Sequence, residues 1–172
     1  ALATVFLCLT RRLPPALVIG ALLLRLGYAD GLLCGTSGLY AEHLQVVRDV
    51  IGKRSDVNTL GAMNYLMLPG RSLFICDTHV NQDPSAQEIA EITLMAAEQV
   101  RRFGVQPKVA LLSHSNFGSS PSESARKMSH AASLISAMSA RELEVDGEMH
   151  GDAALSEEFR RAANPHSMLK GE

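Results

Sequence analysis

The sequence contains no tryptophan, and aromatic residues make up 5% of it. A stacking platform for unpaired bases is therefore not expected, because such platforms need several exposed rings along a basic groove. Neither sign of charge is in excess: 16 Lys and Arg stand against 18 Asp and Glu, for a formal net charge of −2. That balance lacks the positive footprint of a nucleic-acid binder. The three cysteines, Cys8, Cys34 and Cys76, form no Cys-x-x-Cys pair, which argues against a zinc ribbon and favours a reducing compartment. The two apolar stretches, Ala1–Thr10 and Leu17–Leu26, are separated by Arg11, Arg12, Pro14 and Pro15. Neither approaches the ~20 apolar residues of a membrane span. A signal peptide carries its positive charge before the apolar stretch, and here it follows. Asn-x-Ser/Thr sequons and a phosphate-loop Lys pattern are also missing. The expectation is a cytoplasmic chain that meets neither membrane nor nucleic acid.

What is present is ordinary for a folded protein: 172 residues, 47% hydrophobic and 20% charged. That is one domain's length, with enough chain to bury a core. Pro15 suits the first turn of a helix running to Leu26, closed by Gly27. The run 29–35, ADGLLCG, reads as a short buried strand, and Tyr40–Ile51 as a helix with Leu44, Val47 and Ile51 on one face. Two strand-like runs flank Pro69-Gly70 and predict a hairpin. Asp83 as cap and Pro84 as first residue open the clearest helix, with Ile89, Ile92, Ala96, Val100 and Phe103 as its buried stripe and Gly104 as its stop. Lys108–Ser113 is a strand whose VALL centre suits burial on both faces, as in parallel sheets. A helix over 122–140, a short strand over 143–146 and a helix over 152–163 complete the alternation. The class is α/β, a layered α/β/α sandwich with a mostly parallel sheet.

The strongest chemical signal is the run SHSNFGSSPSES after the strand Lys108–Ser113. Small residues and hydroxyls lie between a buried strand and a helix start, where ligands of open α/β sheets sit. The first N–H groups of the helix carry partial positive charge and can receive a phosphate. Ser120-Pro121-Ser122-Glu123 fits a capping box, and those residues would then serve only to cap. Gly35-Thr36-Ser37-Gly38 is a second, weaker strand-to-helix loop. Glu148, His150 and Asp152, and separately Asp77 and His79, could in principle hold a metal. Their spacing fits no established zinc pattern, and exposed strand-end polarity is the expected explanation. Ser113 and His114 are adjacent and do not make a nucleophile–base pair. Cys34 and Cys76 are expected to be inert core thiols, and Arg101/Arg102 and Arg160/Arg161 solvated helix faces.

Several runs together resemble the phosphate acetyltransferase/butyryltransferase family: ADGLLCG (29–35), FICDTHVNQDPSAQEIAEITLMAAEQVRRFGVQPKVALLSHSNFGS (74–119), LEVDGEMHGDAAL (143–155) and LKGE (169–172). Their order matches over residues 15–172, and residues 1–14 match poorly. The forms SHSNFGS and CGTSGLYAEHL look closest to the phosphotransacetylase-like C-terminal domain of bacterial NADP-dependent malic enzymes. The resemblance implies a partial domain, mainly the second lobe of a two-lobed fold, joined in a longer parent chain to a malic-enzyme catalytic domain. That absent domain would hold NADP and a divalent metal. No cofactor, metal or catalytic residue is expected in this stretch, since the family's catalytic Ser-Arg motif lies further along. The implied ligand is acetyl-CoA acting as allosteric inhibitor, with Ser113, Ser115, Asn116, Gly118, Ser119, Thr36 and Ser37 as acyl-CoA or phosphate contacts. Self-association into a homo-oligomer is also implied. The competing expectation is a working phosphate acetyltransferase that moves acetyl between CoA and phosphate.

Overall fold

The alternation of strands and helices persists in the computed structural model, which describes residues 4–6, 14–35, 37–139 and 142–171. The chain divides into two units, Ala1–Asp56 and Val57–Glu172.

In the N-terminal unit, β1 (Thr4–Phe6) pairs in parallel with β2 (Gly31–Leu33), Thr4 opposite Gly31. Between them runs α1 (Pro14–Arg25), which buries Ala16, Leu17 and Ala21. Gly20 is where α1 approaches β2, for a Cβ there would meet Leu32 Cδ1 at 2.7 Å. The expected helix over 40–51 is split: α2 (Tyr40–Val46) runs into a π-helical turn, Val47–Ile51. Leu44, Val47 and Ile51 are half-buried.

The C-terminal unit opens with an antiparallel hairpin, β3 (Met63–Leu68) and β4 (Arg71–Cys76), as Pro69-Gly70 predicted. Gly70 turns it at φ +80°, a value that favours glycine. Tyr65 stacks on Phe74 with ring centres 4.8 Å apart, and Phe103 closes the cluster at 5.4–5.5 Å. Next come α3 (Ala86–Arg102), β5 (Lys108–Leu112), α4 (Glu123–Met138), β6 (Glu144–Met149), α5 (Gly151–Leu155) and α6 (Glu157–Ala163). β5 and β6 pair in parallel, Lys108 opposite Glu144. Alternate residues of β5 serve two cores. Val109 and Leu111 meet Ala86, Ala90 and Ala97 of α3 and Ala131 and Ile135 of α4, whereas Ala110 meets Met149, Ala153 and Leu169. Helices thus cover both faces of this pair, which is the layered α/β arrangement expected.

Local differences have local causes. The cap of α3 is Ser85, two residues beyond Asp83: its Oγ accepts from Glu88 N, and Glu88 Oε2 accepts from Ser85 N at 2.8 Å. A Ser-x-x-Glu box satisfies two orphan donors and displaces the simpler Asp-Pro start. These bonds from Ser85 hold the Glu88 carboxyl below its ordinary range. Phe103 sits at the cap of α3 and is exposed; Ile92 and Val100 are buried as expected, and Ala86, Ala90, Thr93 and Ala97 join them. Small side chains there let α3 approach α4. Cys34 and Cys76 are exposed, not core thiols, because β2 ends at Leu33 and the hairpin is only two strands wide. The expected helix over 152–163 breaks at Ser156, which caps α6. Arg160 is buried, not solvated. Its guanidinium donates to Ala153 O at 2.9 Å, Ala154 O at 3.4 Å and Gly171 O, a cation placed where α5 leaves its carbonyls unpaired.

Candidate functional site

β5 and β6 are neighbours and parallel, so their C-terminal ends lie side by side and the segments leaving them meet. The first is the loop 113–119. Its main chain turns through the left-handed region twice in succession, at Phe117 (φ +44°) and Gly118 (φ +85°). Only Asn, Asp and Gly visit that region readily, so Phe117 must be held there. Phe117 N donates to Glu148 O at 2.8 Å, and Gly118 N donates to Glu148 Oε1 at 2.8 Å. Ser115 Oγ adds a bond to the same Oε1 at 2.9 Å. Ser115 and Glu148 are 2% and 1% exposed, so the Ser115 hydroxyl has traded water for the carboxylate it shares with Gly118 N.

A bulge aims Glu148 at the loop. The β5–β6 register runs Leu111 opposite Gly147 and then Leu112 opposite Met149, which leaves Glu148 as the extra residue. Such insertions re-aim a side chain at a strand end. Gly147 makes the approach feasible, for a Cβ there would lie 2.6 Å from Leu111 O. Its φ of +137° also disfavours any other residue.

A second bracket lies beside the first. Asn116 Oδ1 accepts from His150 N at 2.7 Å, and Asn116 Nδ2 lies 3.1 Å from His150 Nδ1. Ser119 N donates to Asn116 O, and Asn116 N donates to Ser119 Oγ, both at 3.0 Å. Ser113 N donates to Met149 O at 2.9 Å, and Ser113 Oγ is 3.4 Å from Ser115 Oγ. The helix that follows is capped by Ser122, whose Oγ accepts from Ala125 N. The expected box from Ser120 to Glu123 is thereby replaced. Ser120 instead turns back, its Oγ accepting from Ser122 N and lying 3.4 Å from His114 Nε2.

Five sequence-predicted residues, Ser113, Ser115, Asn116, Gly118 and Ser119, therefore share one loop. Ser37 belongs to the N-terminal unit, where its carbonyl oxygen is 2.9 Å from His43 Nε2; Thr36 lies outside the described residues. The N–H groups at 117 and 118 are not open to an incoming anion, because Glu148 takes both, Phe117 N on its main-chain oxygen and Gly118 N on its carboxylate. A ligand phosphate at this loop would meet hydroxyls before main-chain donors. Sequence reasoning placed Glu148 among exposed strand-end groups and missed its role. The available signal was Gly147 inside a strand, which marks a bulge or a close backbone approach.

No group of three His, Cys, Asp or Glu side chains converges among the described residues. Asp152 Oδ1 accepts from Ala153 N at 2.7 Å, and Glu148 and His150 are engaged as above. Asp77, the other candidate, is half-buried at the end of β4. Its Oδ1 accepts from Ala62 N at 2.9 Å and Val80 N at 3.4 Å, its Oδ2 from Asn81 N and Nδ2 at 2.8 and 2.7 Å. Burial pushes this carboxyl up, and the bonds from Ala62, Asn81 and Val80 outweigh it, so the group is held below its ordinary range.

Comparison with known proteins gives a consistent picture. The family model described as phosphate acetyl/butaryl transferase matches residues 9–172. An NADP-dependent malic enzyme of Escherichia coli is 58% identical over 154 residues, covering 90% of this chain and 20% of its own. An NAD-dependent malic enzyme of Rhizobium meliloti is 52% identical over 155 residues, again 20% of its length. The chain thus spans about a fifth of these relatives. Among solved structures, a phosphotransacetylase from Streptococcus pyogenes superposes with a TM-score of 0.80 at 28% identity, over 91% of this chain and 48% of that one. The chain belongs to the phosphate acetyl/butaryl transferase family.

Proposed function

We propose that this chain is the phosphotransacetylase-like regulatory domain of an NADP-dependent malic enzyme, in which a separate catalytic domain decarboxylates malate to pyruvate. The observation that carries this reading is the 58% identity to a malic enzyme, confined to a fifth of that relative's length. Acetyl-CoA is the proposed ligand and acts as allosteric inhibitor. Inhibition requires that it bind one conformation of the parent enzyme better than the other. In this reading Ser115 and Gly118 shape the loop through Glu148, Asn116 does so through His150, and the hydroxyls of Ser113 and Ser119 meet the CoA phosphates. NADP and the divalent metal belong to the catalytic domain, the domain self-associates, and the cytoplasm is its compartment. No helix among the described residues is long and apolar enough to cross a membrane.

The test is calorimetric titration of acetyl-CoA into the full-length protein, with malate oxidation assayed in parallel. Saturable binding below millimolar concentration together with loss of activity supports the proposal; no heat at millimolar acetyl-CoA removes it. A second reading, an active phosphate acetyltransferase, is favoured by the superposition on the Streptococcus pyogenes phosphotransacetylase. Formation of acetyl phosphate by the full-length protein would establish that reading and displace the first.

A further inference from the structure

Asn116 meets His150 with both ends of its amide, and this fixes the state of the ring. The main-chain N–H of His150 can only donate, and it points at Asn116 at 2.7 Å. The amide oxygen must therefore occupy that position, which places Nδ2 against His150 Nδ1 at 3.1 Å. An amide nitrogen donates and does not accept, so Nδ1 carries a lone pair and the ring's proton sits on Nε2. We propose that the Asn116–His150 pair is a proton-operated latch on the loop 113–119. A proton added at Nδ1 sets two N–H donors face to face. The amide cannot flip to relieve this without setting its NH₂ against the His150 main-chain N–H.

What opens is limited by the remaining bonds. Glu148 still holds Ser115, Phe117 and Gly118, whereas Asn116 is tied by two bonds to Ser119. Release of the Asn116 side chain thus loosens the turn at Asn116 and Ser119, while Ser115, Phe117 and Gly118 stay on Glu148. The ionisable groups on the neighbouring elements are Glu144, Asp146 and Glu148 on β6, Asp152 on α5, His114 in the loop, and Glu157, Glu158, Arg160 and Arg161 on α6. The Arg160 guanidinium is anchored on the carbonyls of Ala153 and Ala154, and the Glu148 carboxylate is engaged by Ser115 and Gly118. His114 is turned toward Ser120 and Ser122. The latch does not depend on acetyl-CoA being the ligand.

Hydrogen exchange of the full-length protein reads the latch directly, as protection of the segment 113–122 after correction for intrinsic exchange. Imidazoles take up a proton over roughly pH 8 to 5. Across that range protection should fall about tenfold or more in the wild-type protein. His150→Gln offers an amide oxygen to Asn116 Nδ2 and takes up no proton, so its profile should be flat. Asn116→Asp accepts from the His150 main chain and from a protonated ring, so its protection should rise on acidification. A flat wild-type profile overturns the proposal. So does a fall in either variant equal to that of the wild type.

Discussion

Asp77 and Glu148 each stand at the C-terminal end of a strand, and each gathers N–H groups from a neighbouring loop. Yet they build different things. Asp77 receives four bonds on its two oxygens, from positions 62, 80 and 81, all within 15 residues along the chain. It closes its own neighbourhood. Glu148 receives Ser115 and Gly118 on one oxygen, from 33 and 30 residues away. It ties the loop after β5 to the end of β6, and is more deeply buried. One carboxylate finishes a strand; the other fixes the loop at which the proposed ligand binds. The lesson is that a carboxylate at a strand end is read by the sequence distance and burial of its donors, not by its presence.

The comparison breaks most visibly by truncating each carboxylate. Glu148→Ala leaves the buried Ser115 hydroxyl and the part-buried Gly118 N–H without their shared partner, at about 1–3 kcal/mol for a buried donor and less for the other. Protection of the segment 113–119 against hydrogen exchange should fall by about 2–4 kcal/mol, with the main-chain bond from Phe117 N to the position 148 oxygen retained. Asp77→Ala exposes its donors to water more readily, and the segments 60–62 and 80–81 should lose about 2 kcal/mol. Neither substitution should reach the other's loop if the two clamps are independent.

Acidification separates them further. The Asp77 carboxyl is held below its ordinary range, so it contributes stability that is complete above the unfolded-state value. That contribution is lost as pH falls through the carboxylate range toward the folded value. Hydrogen exchange at 60–62 and 80–81 should therefore accelerate, relative to intrinsic rates, between about pH 5 and pH 3. Asp77→Asn should remove most of that dependence.

The sequence made the α/β alternation, the Pro69-Gly70 hairpin, the VALL strand and the loop after it legible, because each follows from periodicity or turn chemistry. It misassigned features decided by tertiary competition. Asp83-Pro84 is a sound local start, but the Ser85–Glu88 box two residues later satisfies more donors. Ser120 loses to Ser122 for the same kind of reason, once its hydroxyl turns toward His114. Cys34 and Cys76 sit in apolar runs that imply burial, and only the width of the actual sheets shows that their side chains remain accessible. Glu148 was hidden because strand alternation assumes an unbroken register, and the bulge at Gly147 breaks it. Arg160 reads as half of a solvated basic pair until the open carbonyls of α5 are seen beside it. The loop residues were recognisable by composition, whereas their commitment to Glu148 and His150 was not.

The central claim is that acetyl-CoA binds at the loop held by Glu148, and hydrogen-exchange footprinting of the full-length protein with millimolar acetyl-CoA tests it most directly. The account predicts added protection of the segment 113–122 and none at 77–81. Unchanged exchange at 113–122 under saturating ligand would contradict it.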